Sequence, residues 1–76
     1  MSKHSRMHYD PQQNRWMTSI GERDYPLHCG ESFTLYIGKQ GFACRLELDL
    51  SWYVILHHTR FILHPKAAYV VHLCSR

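Results

Sequence analysis

The 76-residue sequence contains no apolar run long enough to form a signal peptide or to span a membrane. Its three cysteines, Cys29, Cys44 and Cys74, show no CxxC spacing, and an odd number cannot all pair within one chain. A glycine-rich phosphate loop and the HExxH and GxSxG motifs are also missing. These absences lead us to expect a cytoplasmic protein with free thiols, no cofactor, no small-molecule substrate and no catalytic activity.

The net charge of the chain is also small. The formal net charge of +3 is mild for a nucleic-acid binder, although it permits such a partner. Apolar residues make up 45% of the chain and aromatic residues 13%, which excludes intrinsic disorder. We expect residues 1 to 6, which are polar and show no periodicity, to form a disordered tail, and residues 7 to 76 to form one domain.

Strand patterns are present where helical patterns are lacking. Residues 42 to 63 are the longest run of strand-forming residues, and residues 44 to 49 alternate between apolar and charged side chains. Residues 33 to 37 alternate as well, and a turn at residues 38 to 41 joins the two stretches as antiparallel neighbours. Residues 7 to 9 and 15 to 17 predict a first hairpin, and residues 21 to 26 a charged connection.

The apolar pattern also selects the register of the next hairpin. A two-residue loop at Leu50 and Ser51 would place charged residues among core residues. A three-residue loop gathers all the apolar side chains on one face, so we predict the pairs Leu48 with Trp52, Leu46 with Val54, and Cys44 with Leu56.

Two segments near the end of the chain break the strand pattern. His57, His58 and Thr59 turn the chain without the help of a glycine or asparagine. Further on, a proline opens a short stretch suited to one helical turn, made of Pro65, Lys66, Ala67 and Ala68. A β-branched strand follows at residues 69 to 73.

Two stretches carry a resemblance to SH3 domains. Residues 28 to 37, HCGESFTLYI, resemble the strand that follows the diverging turn, and residues 63 to 73, LHPKAAYVVHL, resemble the ending in which a proline opens a 3₁₀ turn before the closing strand. The resemblance implies an all-β fold, a small antiparallel SH3-like barrel of five to six strands. The aromatic motif of the proline-peptide groove is absent, so recognition of proline-rich peptides is not implied.

A second resemblance covers nearly the whole chain. The strings YDPQQNRW, LHCGESFTLYIG, CRLELDLSWYVI and RFILH are similar to a family of small domains of unknown function found in Firmicutes genomes, often near mobile elements and phages. This resemblance implies a bacterial protein of phage or mobile-element origin. It implies no activity and transfers no functional residue.

Histidine is frequent, with seven in the chain, and two of them lie near cysteines. His72 and Cys74 share a strand face and form the better half of a zinc site, which His57 or His64 would complete. His28 and Cys29 are adjacent and point to opposite faces of a strand. A catalytic pair of Cys29 with His64 or His57 can be drawn, but the spacing does not require it. We therefore predict neither a metal site nor a catalytic residue.

The surplus of apolar surface favours a protein partner or a homo-oligomer. If Leu46 and Val54 fill the core, then other side chains of the same strands form an apolar centre with a charged rim, as interfaces do. The predicted partner-binding residues are Tyr53, Ile55, Ile62, Arg45 and Arg60. The alternative is that residues 10 to 26 fold over this face.

A nucleic-acid-binding barrel is the second functional hypothesis. Arg45, Arg60 and Lys66 with Tyr36 would supply a basic face that carries a stacking ring. Glu47 and Asp49 on the same face as Arg45 weaken this hypothesis. The first hypothesis is a small non-catalytic interaction module that binds and modulates a larger host protein or complex.

Overall fold

The computed structural model describes residues 4 to 73, which form one antiparallel sheet of eight strands without a helix. The strands are β1 (His4–Asp10), β2 (Arg15–Ile20), β3 (Arg23–Pro26), β4 (Ser32–Ile37), β5 (Gln40–Leu48), β6 (Trp52–Leu56), β7 (Thr59–Ile62) and β8 (Tyr69–His72). Their spatial order is β3-β2-β1-β8-β4-β5-β6-β7. The all-β antiparallel class is confirmed. The number of strands is not five or six, and within residues 4 to 73 the sheet is not closed.

One face of the sheet builds the core. Because side chains alternate across a strand, the cross-strand rows of neighbouring strands meet on the same face. Leu35 lies opposite both Phe42 and Val71, and Leu46 lies opposite Val54. The buried cluster on this inner face is Met7, Trp16, Leu27, Phe33, Leu35, Cys44, Leu46, Val54, Leu63 and Val71. The other side chains of these strands form the outer face.

The central hairpins follow the apolar pattern. In β5 and β6, Leu48 pairs with Trp52 and Leu46 with Val54, as the three-residue loop requires. The ladder runs as far as Arg45 and Ile55, and the predicted register is confirmed. The turn between β4 and β5 is shorter than expected. It comprises Gly38, whose φ is +65°, and the following lysine, while residues 40 and 41 already belong to β5.

The first third of the chain contains more strand than predicted. Residues 4 to 6, expected in a disordered tail, form the start of β1, where His4 pairs with His72 and Arg6 with Val70 of β8. Residues 1 to 3 lie outside the described residues. The expected first hairpin is present, with Tyr9 opposite Trp16. The expected charged connection contains the edge strand β3 instead, and Gly21 turns the chain into it.

Two later segments also differ from expectation. His57 and His58 form a two-residue hairpin turn, and both have positive φ, 51° and 62°. This is the backbone that a twisted hairpin requires, although asparagine and glycine usually supply it. The predicted helical turn near residue 65 is a single four-residue turn, closed by the Ala67 N–H donating to the His64 carbonyl at 3.0 Å. Residues 4 to 73 include no helix long and apolar enough to cross a membrane.

Candidate interaction surfaces

The five predicted partner-binding residues lie together on the outer face of β5, β6 and β7. The register places Arg45, Ile55 and Arg60 in one cross-strand row. Tyr53 and Ile62 lie in the next row, beside Glu47. We call Arg45, Tyr53, Ile55, Arg60 and Ile62 the outer patch. Its apolar members form the centre and its guanidinium groups lie at two sides, as the sequence predicts.

Charged contacts hold the rim of the outer patch. The Arg45 Nε donates to the Glu47 Oε2 at 2.6 Å. The Arg60 guanidinium lies over the Tyr53 ring at 4.1 Å from its centroid, and its Nη1 is 3.9 Å from the Asp49 Oδ2. Each arginine therefore has a carboxylate near it, which reduces the positive potential of the patch.

Three members of the outer patch, Arg45, Arg60 and Ile62, are exposed. In the strand order, β2 and β3 lie at the opposite end from β6 and β7, although Asn14 and Trp16 line a groove together with Ile62. The exposure of the three side chains favours an open outer patch over the alternative in which residues 10 to 26 cover this face. Ile62 is 59% exposed, and Tyr53 and Ile55 are half-buried by their neighbours in the sheet. An open depression of about 500 Å³ continues from Arg45 and Ile55 towards His72.

The residues of the nucleic-acid hypothesis are only partly brought together. Arg45 and Arg60 share a row, as described. Tyr36 lies opposite Gly41 on the same outer face, and a Cβ added to Gly41 would meet the Tyr36 ring at 2.9 Å. That ring packs against bare backbone and against His4, with ring centroids 4.5 Å apart. Lys66 lies in the turn between β7 and β8, outside the sheet.

The histidines and cysteines do not converge in the described residues. Among residues 4 to 73, no group of three or more histidine, cysteine or acidic side chains is arranged to hold a metal ion. His72 faces His4, with ring centroids 6.1 Å apart, and its predicted partner Cys74 lies outside the described residues. Cys29 is exposed, whereas Cys44 is buried, and this burial raises the pKa of the Cys44 thiol from 9.0 to about 11. Cys44 is thus a protonated core side chain.

A groove at one end of the sheet was not predicted from the sequence. The groove encloses about 450 Å³ between the β1–β2 loop, the β5–β6 turn and the segment after β7. We call it the tryptophan groove, and its lining residues are Tyr9, Asn14, Trp16, Leu48, Asp49, Leu50, Ser51, Trp52, Ile62, Leu63 and Pro65. No local pattern could reveal it, because its walls come from three separate parts of the sequence.

Both tryptophans of the chain line this groove. The indole Nε1 atoms of Trp16 and Trp52 are buried, and neither has a hydrogen-bond acceptor in the described structure. An unpaired buried donor costs about 1–3 kcal/mol, so such groups are usually paired by protein, water or a ligand. The groove thus has largely apolar walls with two aromatic members, whereas the two donors are buried.

Residues 5–73 match the model of a family described as a domain of unknown function, DUF5348. The chain belongs to the DUF5348 family. The predicted membership of a family of small domains of unknown function is confirmed by this match. Neither the curated proteins nor the solved structures include a match to the chain. The interaction surfaces of this DUF5348 domain are therefore assigned from its own geometry.

Proposed function

We propose that this DUF5348 domain is a small non-catalytic interaction module, which binds another folded protein through the outer patch and modulates a larger host protein or complex. One observation carries the proposal: Tyr53, Ile55 and Ile62 lie side by side in the register, next to the exposed residues Arg45 and Arg60, and Ile62 itself is 59% exposed. An apolar centre surrounded by charged groups is typical of protein–protein interfaces.

The charges of the rim favour a protein over a nucleic acid. A phosphate backbone binds where positive charge is in excess. In the outer patch, Glu47 lies against Arg45 and Asp49 lies near Arg60, so positive and negative groups alternate. A folded partner with its own mixed charges can match such a rim, and the match would contribute specificity more than affinity.

We also propose an origin for the protein and a topology for its sheet. The similar strings in the sequence support a bacterial, cytoplasmic protein of a phage or mobile element, from the Firmicutes. The neighbouring order β1-β8-β4-β5-β6 supports an SH3-like topology, because the last strand lies between the first strand and β4, as it would in closing a small barrel. The one-sided core supports strong bending of the sheet.

The test is a binding experiment with matched variants on the outer face. The tagged domain would be used to recover proteins from a lysate of its source organism, and each recovered protein would be titrated against the purified domain. We expect Ile55→Asp to abolish binding of a true partner. Val70→Asp is the control, because Val70 is also apolar and exposed on the outer face, but on β8. Both variants should retain the thermal unfolding transition.

Two results would contradict the proposal. The first is a partner whose affinity is unchanged by Ile55→Asp. The second is recovery of nucleic acid, with an affinity that falls steeply as salt rises and depends on Arg45 and Arg60. The second result would replace the proposal by the nucleic-acid hypothesis.

A further inference from the structure

We propose that the tryptophan groove is a self-association site, in which Leu50 of each copy of the chain inserts into the groove of a second copy. This inference goes beyond the proposed function, because it assigns a different surface and a different partner. Ile62 belongs to both surfaces, but the other groove residues lie at the end of the sheet, whereas Ile55 and Arg45 of the outer patch lie on its face.

Leu50 is the most exposed apolar residue among residues 4 to 73. It is 99% exposed at the tip of the β5–β6 turn, which the Asp49 N–H closes by donating to the Ser51 carbonyl. Exposed single leucines are common on protein surfaces, but Leu50 is not isolated. Leu48, 43% exposed, and Ile62, 59% exposed, lie with it on the rim of the same groove. The groove is therefore lined by three exposed apolar side chains.

The chain carries both halves of one contact side by side. Leu50 is a protruding apolar side chain, and the groove beside it is a concave surface with aromatic walls, Trp16 and Trp52. In a two-fold pair, each surface patch meets its own copy, so a patch that contains a protrusion and a matching concavity complements itself. In such a dimer, each copy inserts its Leu50 into the groove of the other copy. A different partner would use only the groove and would leave Leu50 exposed.

Polar groups at the groove fit the same arrangement. Asp49 lines the groove and lies 3.9 Å from Arg60, and both side chains are more than half exposed. Across a two-fold axis each can pair with the opposite charge of the other copy. A basic polymer or a polyanion would meet one of the two charges unfavourably.

Tryptophan emission and sedimentation together test the inference. The chain has only two tryptophans and both line the groove, so emission reports directly on its occupation. We expect a weak dimer with a Kd on the order of 100 µM, and an emission maximum that shifts to shorter wavelength over the same concentration range. Leu50→Ser should raise the Kd by about 100-fold or more, because two leucines are removed from each dimer.

Ile37→Ser is the matched control for Leu50→Ser. Ile37 is also an exposed apolar residue at the end of a hairpin, but it lies beside Gly38, away from the groove. The Ile37→Ser variant should dimerise as the wild type does. The Ile55→Asp variant should also dimerise in this way if the outer patch acts separately from the tryptophan groove. Leu50→Ser should unfold at the wild-type temperature, since Leu50 makes no buried contact.

Three results would overturn the inference. The protein could remain monomeric up to about 1 mM, ten times the expected Kd. It could dimerise equally well with Leu50→Ser. It could dimerise while the tryptophan emission stays constant, which would place the contact elsewhere. Retention of the outer-patch partner by Leu50→Ser, with loss of that partner in Ile55→Asp, keeps the two proposals experimentally distinct.

Discussion

The two faces of strand β6 differ although the strand is apolar at every position. On the inner face, Val54 is fully buried between Leu46 and Phe61. On the outer face, Tyr53 and Ile55 are half-buried between charged neighbours. The same sequence pattern thus has two outcomes, because the core cluster includes Val54 but neither Tyr53 nor Ile55.

This difference separates stability from recognition. Burial of apolar surface on the inner face stabilises the fold by about 25 cal/mol per Å². Side chains on the outer face gain only part of that burial within the monomer, so their remaining apolar area is available to a partner. The following predictions compare buried positions with exposed ones and a relaxed position with a strained one, and the last couples two members of the outer patch.

The largest effect is expected from truncating the two faces separately. Leu46→Ala should lower the free energy of unfolding by about 2–5 kcal/mol, because it leaves a cavity in the core. Ile55→Ala, across the ladder from Arg45, should cost less than half as much. Urea unfolding of both variants measures this. Equal losses would mean that the outer face is covered in solution, and the comparison would fail.

The second largest effect is expected in the alkylation rates of the Cys44 and Cys29 thiols. Burial raises the pKa of the Cys44 thiol from 9.0 to about 11, so its thiolate fraction at pH 8 is about a hundredfold lower than that of an unburied thiol. Two single-thiol variants, each also carrying Cys74→Ser, should therefore alkylate at rates at least about a hundredfold apart. Similar rates would contradict the burial of Cys44.

The same pKa gives stability a pH dependence. Because the folded-state pKa of Cys44 is higher than that of the unfolded chain, its contribution is complete below about pH 9 and is lost as pH rises to about 11. Unfolding experiments across this window should show a loss in the wild type that is smaller in Cys44→Ala.

The β6–β7 and β4–β5 turns should differ in how a substitution by glycine changes the stability of the protein. His58 has a φ of 62°, which strains a side-chain-bearing residue, so His58→Gly should raise the free energy of unfolding by about 1 kcal/mol. This change leaves His57 against Phe42, where the ring centroids are 5.7 Å apart. Lys39→Gly is the control at the second position of the β4–β5 turn, where φ is not positive. It should not stabilise the protein, and thermal unfolding would compare the two.

The smallest effect is expected at the rim of the outer patch. A double-mutant cycle with Arg60→Met and Tyr53→Leu should give a coupling energy of about 0.5–1 kcal/mol, since the guanidinium lies over an exposed ring. Urea unfolding of the four proteins measures it. Zero coupling would mean that the guanidinium does not occupy this position in solution.

Sequence patterns predicted those parts of the fold in which an alternative register would bury charged side chains. The β5–β6 register was predictable because a slip by one residue would bury Arg45 and Glu47. Strand β3 was not predictable, since all four of its residues are exposed and an edge strand does not need alternating apolar residues. The start of β1 was missed for a related reason, because its partner β8 is distant in sequence.

The candidate surfaces show the same limit. The outer patch follows from period-two alternation once the register is known, so all five of its residues were predicted. The tryptophan groove depends on bends that bring Trp16 towards Trp52, and no local pattern records such a meeting. Leu50 was interpreted only as a loop residue. Its exposure has meaning only beside a groove that the structure reveals.

Paramagnetic relaxation by a soluble probe tests the central claim most directly, that residues 4 to 73 leave the outer face of β6 open to solvent. It would be measured on the methyl groups of Ile55 and Val54 in Leu50→Ser, in which the proposed self-association is absent. We predict strong relaxation of the Ile55 methyls and little of the Val54 methyls. Equal protection of the two side chains would contradict the account.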